Sequence, residues 1–166
     1  SGKTNLEAPY GVTLVPVTSA QDMFEAVSLR AKEQDLIIKA AAVADYRPVT
    51  VAENKIKKSP GDMSIALERT TDILAWLGEH RREGQVLCGF AMETEHMVEH
   101  AKEKLTGKHV DMIAANNVKV AGAGFGTDTN VVTLITEDGV EELAKMSKEE
   151  VASRIVDALL RLRENM

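Results

Sequence analysis

From Leu36 to Val43 the chain reads LIIKAAAV, apolar at every position except Lys39. A stretch that is apolar at both alternate positions has no polar face to turn toward water. It calls for a strand covered on both sides, and such strands belong to parallel sheets with helices above and below. We take this strand as Asp35–Ala42, and the rest of the chain must then supply its neighbours and its covering layers.

It does so in order. Thr13–Val17 reads as a short strand, and Ser19 followed by Asp22 marks a capped helix whose apolar face runs through Met23, Val27 and Ala31, broadened by Ala26 and Leu29. Tyr46–Gly61 reads as a long polar loop, and Met63–Leu67 alternates like a strand. Thr70 or Thr71 can cap a second helix, with Asp72 in its first turn and Ile73, Leu74, Trp76 and Leu77 as its buried surface. Gln85–Phe90 is a buried strand, Glu95–Leu105 a helix closed by Gly107, and Val110–Ala115 another strand. Asn130–Thr136 and Val140–Leu143 flank Asp138-Gly139, a hairpin signal, and Ser147 with Glu150 is a capping box for a last helix to about Arg163. This alternation predicts an α/β protein: a three-layer α/β/α Rossmann-like sandwich, its sheet mostly parallel with an antiparallel hairpin near the C-terminus. We read residues 1–166 as one domain. Val12 already opens the first strand, which leaves no room for a preceding strand, turn and helix, so the chain reads as a fragment of something longer.

Charge and composition narrow the function classes. A net charge of −6 argues against a surface that coats nucleic acid. No apolar run reaches membrane-spanning length and no signal peptide is visible, which points to a soluble, cytoplasmic protein. The single cysteine, Cys88, excludes an internal disulfide and a cysteine-built zinc cage, and its strand position makes it a small apolar residue. His96 and His100 share a helical face, but the HExxH arrangement is absent.

The chemistry concentrates just past the apolar run. Asp45 follows it, and a loop carrying Arg47, Lys55, Lys57 and Lys58 comes next. A carboxylate at the carboxyl end of a strand can accept hydrogen bonds from a sugar or base, while ammonium groups meet phosphate charge, so the pattern suits a nucleoside triphosphate. A plainer reading stands beside it: Asp45 as a solvated turn residue and the lysines as a solvated loop. At roughly 6 Å in water each lysine pair costs under about 1 kcal/mol, which a flexible loop tolerates without any anion. Phe90 can be core or can stack on a base. Lys104 and Lys108 sit at a helix C-terminus, where they offset the dipole unless a phosphate is in reach. Gly122, Gly124 and Gly126 imitate a dinucleotide fingerprint, but no helix opens after them, and a Rossmann cofactor loop is rejected.

Six segments in order and spacing carry a resemblance: AAVADYRP, NKIKK, TTDILAWL, VLCGFAMET, HVDMIAANNV and GFGTDTNVVTLI. Together they resemble the phosphopantothenate–cysteine ligases, the CTP-using synthetases of bacterial coenzyme A synthesis, over essentially the whole chain. The resemblance implies ligation of 4′-phosphopantothenate to cysteine through an acyl-cytidylate, with CTP as co-substrate and Mg²⁺ as its companion. It also implies a homodimer and a linked or associated decarboxylase. Residue by residue, Lys55 matches the catalytic lysine on a mobile flap and Asp45 the nucleotide-contacting carboxylate. Ala41 and Ala42 match the small pair beside the nucleotide, and Thr71, Asp72, Ile73 and Leu74 a helix N-terminus facing it. Phe90 matches the ring near the nucleotide, and Lys104 and Lys108 match further ligands of it. No metal ligands are implied. The family's opening Gly-rich unit and its intermediate-contacting asparagine are not among these residues, and Lys3 stands where the family commonly has proline. An ATP-using form of the ligase and a non-catalytic nucleotide-binding subunit are the alternatives.

Overall fold

The computed structural model describes residues 1–58, 60–93, 96–117 and 126–166, without the side chains of Glu93 and Asn117. The Gly122 and Gly124 positions of the rejected fingerprint lie outside the described residues. Strands β1 (Leu36–Lys39), β4 (Val86–Glu93), β5 (Met112–Asn117), β7 (Val132–Ile135) and β8 (Val140–Glu142) form one sheet in the order β1-β4-β5-β7-β8. The first three run parallel, and β7 and β8 are antiparallel additions. Two short ribbons accompany it, β2 (Tyr46–Pro48) with β3 (Leu67–Arg69), and β6 (Thr129–Asn130) with β9 (Met146–Ser147).

Strand parity sorts the side chains onto two faces. Leu87, Ala91, Ile113, Ala115 and Ile135 meet α1 (Ala20–Arg30), α2 (Ile73–His80) and α3 (Met97–Gly107) on one side. Val86, Cys88, Met112, Ala114 and Leu134 meet α4 (Lys148–Glu164) on the other. The result is the α/β/α sandwich expected from the sequence. Both capping boxes form, at Ser19–Asp22 and at Ser147–Glu150. The hairpin forms between β7 and β8, with Thr136 N–H donating to the Gly139 carbonyl at 2.9 Å.

Several expectations are corrected. β1 is shorter than Asp35–Ala42 and is not covered on both faces: among the described residues it pairs with β4 alone, Ile38 is 40% exposed, and Ala40–Ala42 are exposed. Thr13–Val17 joins no sheet among the described residues; its Val17 N–H donates to Ser1 O at 3.0 Å. Between this segment, α1 and β1 lies an open groove of about 920 Å³, lined by Val15, Val17, Val27 and Ile37 among others. Apolar composition calls for cover; which neighbour gives it is decided elsewhere in the chain. Leu29 is 76% exposed and turned away from the face that Met23 and Val27 press on the core. Met63–Leu67 is not the strand; pairing falls on Leu67–Arg69, where Glu68 meets Arg47 at 2.7 Å and Arg69 lies over the Tyr46 ring at 5.8 Å. The strand partner thus begins inside the stretch read as a loop. Of the helix read as Glu95–Leu105, Glu95 lies outside the described residues; the helix runs from Met97 to Gly107, with His96 in the left-handed region before it. Among the described residues no helix is long and apolar enough to cross a membrane.

Candidate nucleotide site at the first turn of α2

The site is built around Asp72. The sequence suggested a threonine cap, but Asp72 takes that position and its Oδ1 accepts the Ala75 N–H at 3.1 Å. Thr70 is occupied elsewhere: its hydroxyl donates to Ala44 O at 2.6 Å and its N–H to Asp45 O at 2.9 Å. A carboxylate is as good a cap as a threonine hydroxyl, so Thr70 is released to fasten the chain after β1 to the entrance of α2. Asp45 is thereby held next to the α2 N-terminus. It lies beyond the non-regular residues 40–44 and directly before β2, and is not the last residue of a buried strand.

Two glycines let α2 settle. At Gly89 of β4 a Cβ would collide with the Leu74 side chain and stand 3.1 Å from Ile113 Cδ1, so the missing atom is the space Leu74 fills. At Gly78 a Cβ would overlap the Lys108 carbonyl oxygen, so α2 lies directly on the backbone at the end of α3. From there the Lys108 side chain runs back along α2 and places Nζ 2.9 Å from Asp72 Oδ2. Burial pushes the Asp72 carboxyl up, but the Lys108 ammonium, the Ala75 N–H and the Lys39 charge outweigh it and hold the group below the usual carboxylate range.

Lys39 is the residue that the sequence reading passed over. It ends β1 in register with Gly89, and it points to the same sheet face as Ile37, the α2 face. Its ammonium is half-buried and makes no ion pair or hydrogen bond among the described residues. Burial first, then the Lys108 charge, push Lys39 below its ordinary value; Asp72 and Asp45 offset this only in part. The available signal was its position: a lone lysine inside an apolar run has to lead somewhere.

The other candidates are distributed around this centre. Thr71 is exposed beside the cap, and Ile73 and Leu74 are buried beneath it. Ala41 lines the groove with Lys39, and Ala42 is exposed on the same stretch. Lys104 lies one turn before Lys108, its carbonyl accepting the Lys108 N–H at 3.0 Å. Lys55 is exposed in the loop carried by the β2–β3 ribbon, and no described contact joins it to Asp72 or Lys108. Phe90 is on the opposite sheet face, packed with the α4 cluster. It lines a separate depression of about 510 Å³ with Ala40, Asn116, Asn130 and Lys148, where Asn130 donates to Asn116 Oδ1 at 3.1 Å. A ligand touching both Phe90 and Asp72 must therefore straddle the upper rim of the sheet. Cys88, fully buried, has its thiol pushed up to about 12 by burial and takes no part.

Chemically, the α2 entrance offers the N–H groups of a helix's first turn, two lysines from neighbouring elements and one carboxylate already spoken for. Such a set can receive an anion, with Asp72 as the counter-charge already in place.

Known proteins resemble this chain along nearly its whole length. The sequence model described as the DNA/pantothenate metabolism flavoprotein C-terminal domain matches residues 1–162. The chain is 47% identical over 164 residues to the coenzyme A biosynthesis bifunctional protein CoaBC of Bacillus subtilis, covering 98% of this chain and 40% of that protein. It is 41% identical over 152 residues to a cysteine/cysteine sulfinic acid decarboxylase of an unknown prokaryotic organism, covering 91% of this chain and 42% of that protein. The chain thus spans less than half the length of these relatives. A crystal structure of the C-terminal domain of a CoaBC protein superposes with a TM-score of 0.81 at 45% identity, covering 99% of this chain and 75% of that one.

Proposed function

Because the chain belongs to the DNA/pantothenate metabolism flavoprotein C-terminal domain family, we propose that it is the CTP-binding part of a phosphopantothenate–cysteine ligase acting in coenzyme A synthesis. The observation that supports this most is the superposition along 99% of the chain on the C-terminal domain of a CoaBC protein at 45% identity. The anion site at the start of α2 is where the nucleotide phosphates sit, at the carboxyl end of the parallel strands, as open α/β sheets favour.

The carboxylate of 4′-phosphopantothenate attacks the α-phosphorus of CTP, forming the acyl-cytidylate and expelling pyrophosphate. The cysteine amine then attacks the activated carbonyl, forming the amide and releasing CMP. The protein aligns the two reactants and neutralises phosphate charge. Lys108 and the α2 N–H groups hold phosphate oxygens, Asp45 orients the nucleoside, and Lys55 reaches the reacting phosphoryl group when the ribbon loop closes. The donor set fits a magnesium ion carried mainly by phosphate oxygens and water. Among the described residues no group of three His, Cys, Asp or Glu forms a metal cage, and Asp45 and Asp72 are exposed carboxylates at the site. Bound there, Mg²⁺ supplies charge neutralisation on the triphosphate.

On this reading the chain works in the cytoplasm as a homodimer, and a decarboxylase linked to it or associated with it consumes the product. Titration calorimetry with CTP and ATP, run beside a pyrophosphate-release assay with 4′-phosphopantothenate and cysteine, tests the proposal. CTP binding preferred over ATP together with cysteine-dependent product supports it; no nucleotide binding overturns it. The position of Lys55 in an exposed loop, without a described contact to Asp72 or Lys108, favours one second reading, a nucleotide-binding module without turnover. Binding without pyrophosphate release supports that one.

A further inference from the structure

We propose that Lys39 is a ligand of the nucleotide's phosphate chain, closing with Lys108 on an anion that displaces Lys108 from Asp72. The inference rests on the nucleotide reading above and extends it to a residue outside the matched motifs.

Three lines of geometry converge. Lys39 lies in register with Gly89, and Gly89 is the position whose missing Cβ admits Leu74 from the first turn of α2. The end of β1 and the α2 cap are therefore fixed over one spot of the sheet. Lys108 reaches the same spot from the end of α3, as its 2.9 Å contact with Asp72 records. Asp45, tied to α2 through Thr70, completes the surround.

The charges there are unevenly shared. Asp72 accepts from Lys108 and from the Ala75 N–H, whereas Lys39 stands half-buried without an ion-pair or hydrogen-bond partner among the described residues. Holding an unpaired ammonium out of water costs free energy that a bound phosphate recovers. The Lys39 group is pushed below its ordinary value by burial and by Lys108, the state expected of a site awaiting negative charge. A phosphate entering between the two lysines takes Lys108 from Asp72, and Asp72 keeps its cap bond.

The test is calorimetry of the chain with inorganic pyrophosphate, CTP, CMP and 4′-phosphopantothenate, in the native protein and in Lys39→Met and Lys39→Arg. Methionine preserves the aliphatic stem and removes the charge. Lys39→Met is expected to weaken pyrophosphate and CTP about 10- to 50-fold, the size of a lost charge-assisted hydrogen bond, with CMP changed less than about twofold and Lys39→Arg within about threefold of native. Unchanged pyrophosphate and CTP affinity overturns the assignment, as does equal loss of CMP or a loss confined to 4′-phosphopantothenate. Failure of the native chain to bind pyrophosphate or CTP also overturns it. Should Lys39→Met melt early, ¹³Cε spectra of lysine-labelled native protein decide, with the resonance identified through Lys39→Arg. Movement of that resonance on adding pyrophosphate supports the proposal, and its constancy refutes it. A chain that passes and yet releases no pyrophosphate from CTP keeps Lys39 as a ligand and loses the ligase reading.

Discussion

Gly78 lies so close under Lys108 that a Cβ on residue 78 would overlap the Lys108 carbonyl oxygen. The contact couples the packing of α2 to the position of a lysine at the anion site. Gly78→Ala is expected to push α3's end away from α2 and to cost about 1–3 kcal/mol of stability, the range for overpacking a tight core. It should also weaken pyrophosphate binding, because Lys108 is displaced from its reach toward Asp72. Urea unfolding and calorimetry on one preparation check both effects, and a variant of native stability with native affinity would remove the coupling.

Lys55 stands apart from the Asp72–Lys108 cluster proposed to hold the phosphates, so its expected role is in the reaction step. Lys55→Gln should leave CTP affinity within about tenfold of native and lower turnover at least about 100-fold, as for a lost group that stabilises transition-state charge. Pyrophosphate release under saturating CTP is the measurement. Near-native turnover would take Lys55 out of the mechanism.

The acid side of the stability profile follows from Asp72. Its folded value lies below the ordinary 3.8, so the unfolded chain binds the proton first as pH falls. The stabilisation is complete above the ordinary carboxylate value and is lost as pH drops through the folded one. Asp72→Asn keeps a good cap and removes the charge. Its stability should therefore fall less steeply than native between about pH 5 and about pH 2, read by urea midpoints.

Asp111 is expected to be the most costly single carboxylate to remove. Its Oδ2 accepts the Leu87 N–H at 2.7 Å, and both of its oxygens accept from Arg81 Nη1, at 2.9 and 3.0 Å. The Asp111 side chain is only 15% exposed, so Asp111→Ala strands a buried N–H and a half-buried guanidinium together. A loss of about 2–4 kcal/mol is expected, with Asp111→Asn recovering part of it through the Leu87 bond. Thermal or urea unfolding of the two variants gives the comparison.

What could be read from the sequence was what short segments decide for themselves. The Ser19 and Ser147 boxes need only residues three apart, and the Asp138-Gly139 turn needs only its own dihedral preferences. The buried strands around Leu87 and Ile113 were visible as apolar runs. Pairing across long separations was not. Nothing local says that Leu67–Arg69 rather than Met63–Leu67 meets Tyr46–Pro48, or that Thr70 spends its hydroxyl on Ala44 and leaves the cap to Asp72. The side of the sheet that Phe90 takes was readable in principle, since Val86, Cys88 and Phe90 share one parity and Leu87 and Ala91 the other. What parity could not supply is that Asp72 and Lys108 gather on the opposite side.

The margin of β1 away from β4, unpaired among the described residues, gives Lys39 a second consequence. A row of backbone donors and acceptors beside an apolar furrow will accept almost any extended chain, including a neighbouring molecule's, and a charge planted on such a margin discourages that traffic. The ammonium proposed to receive phosphate also makes this edge a poorer landing place for a foreign strand.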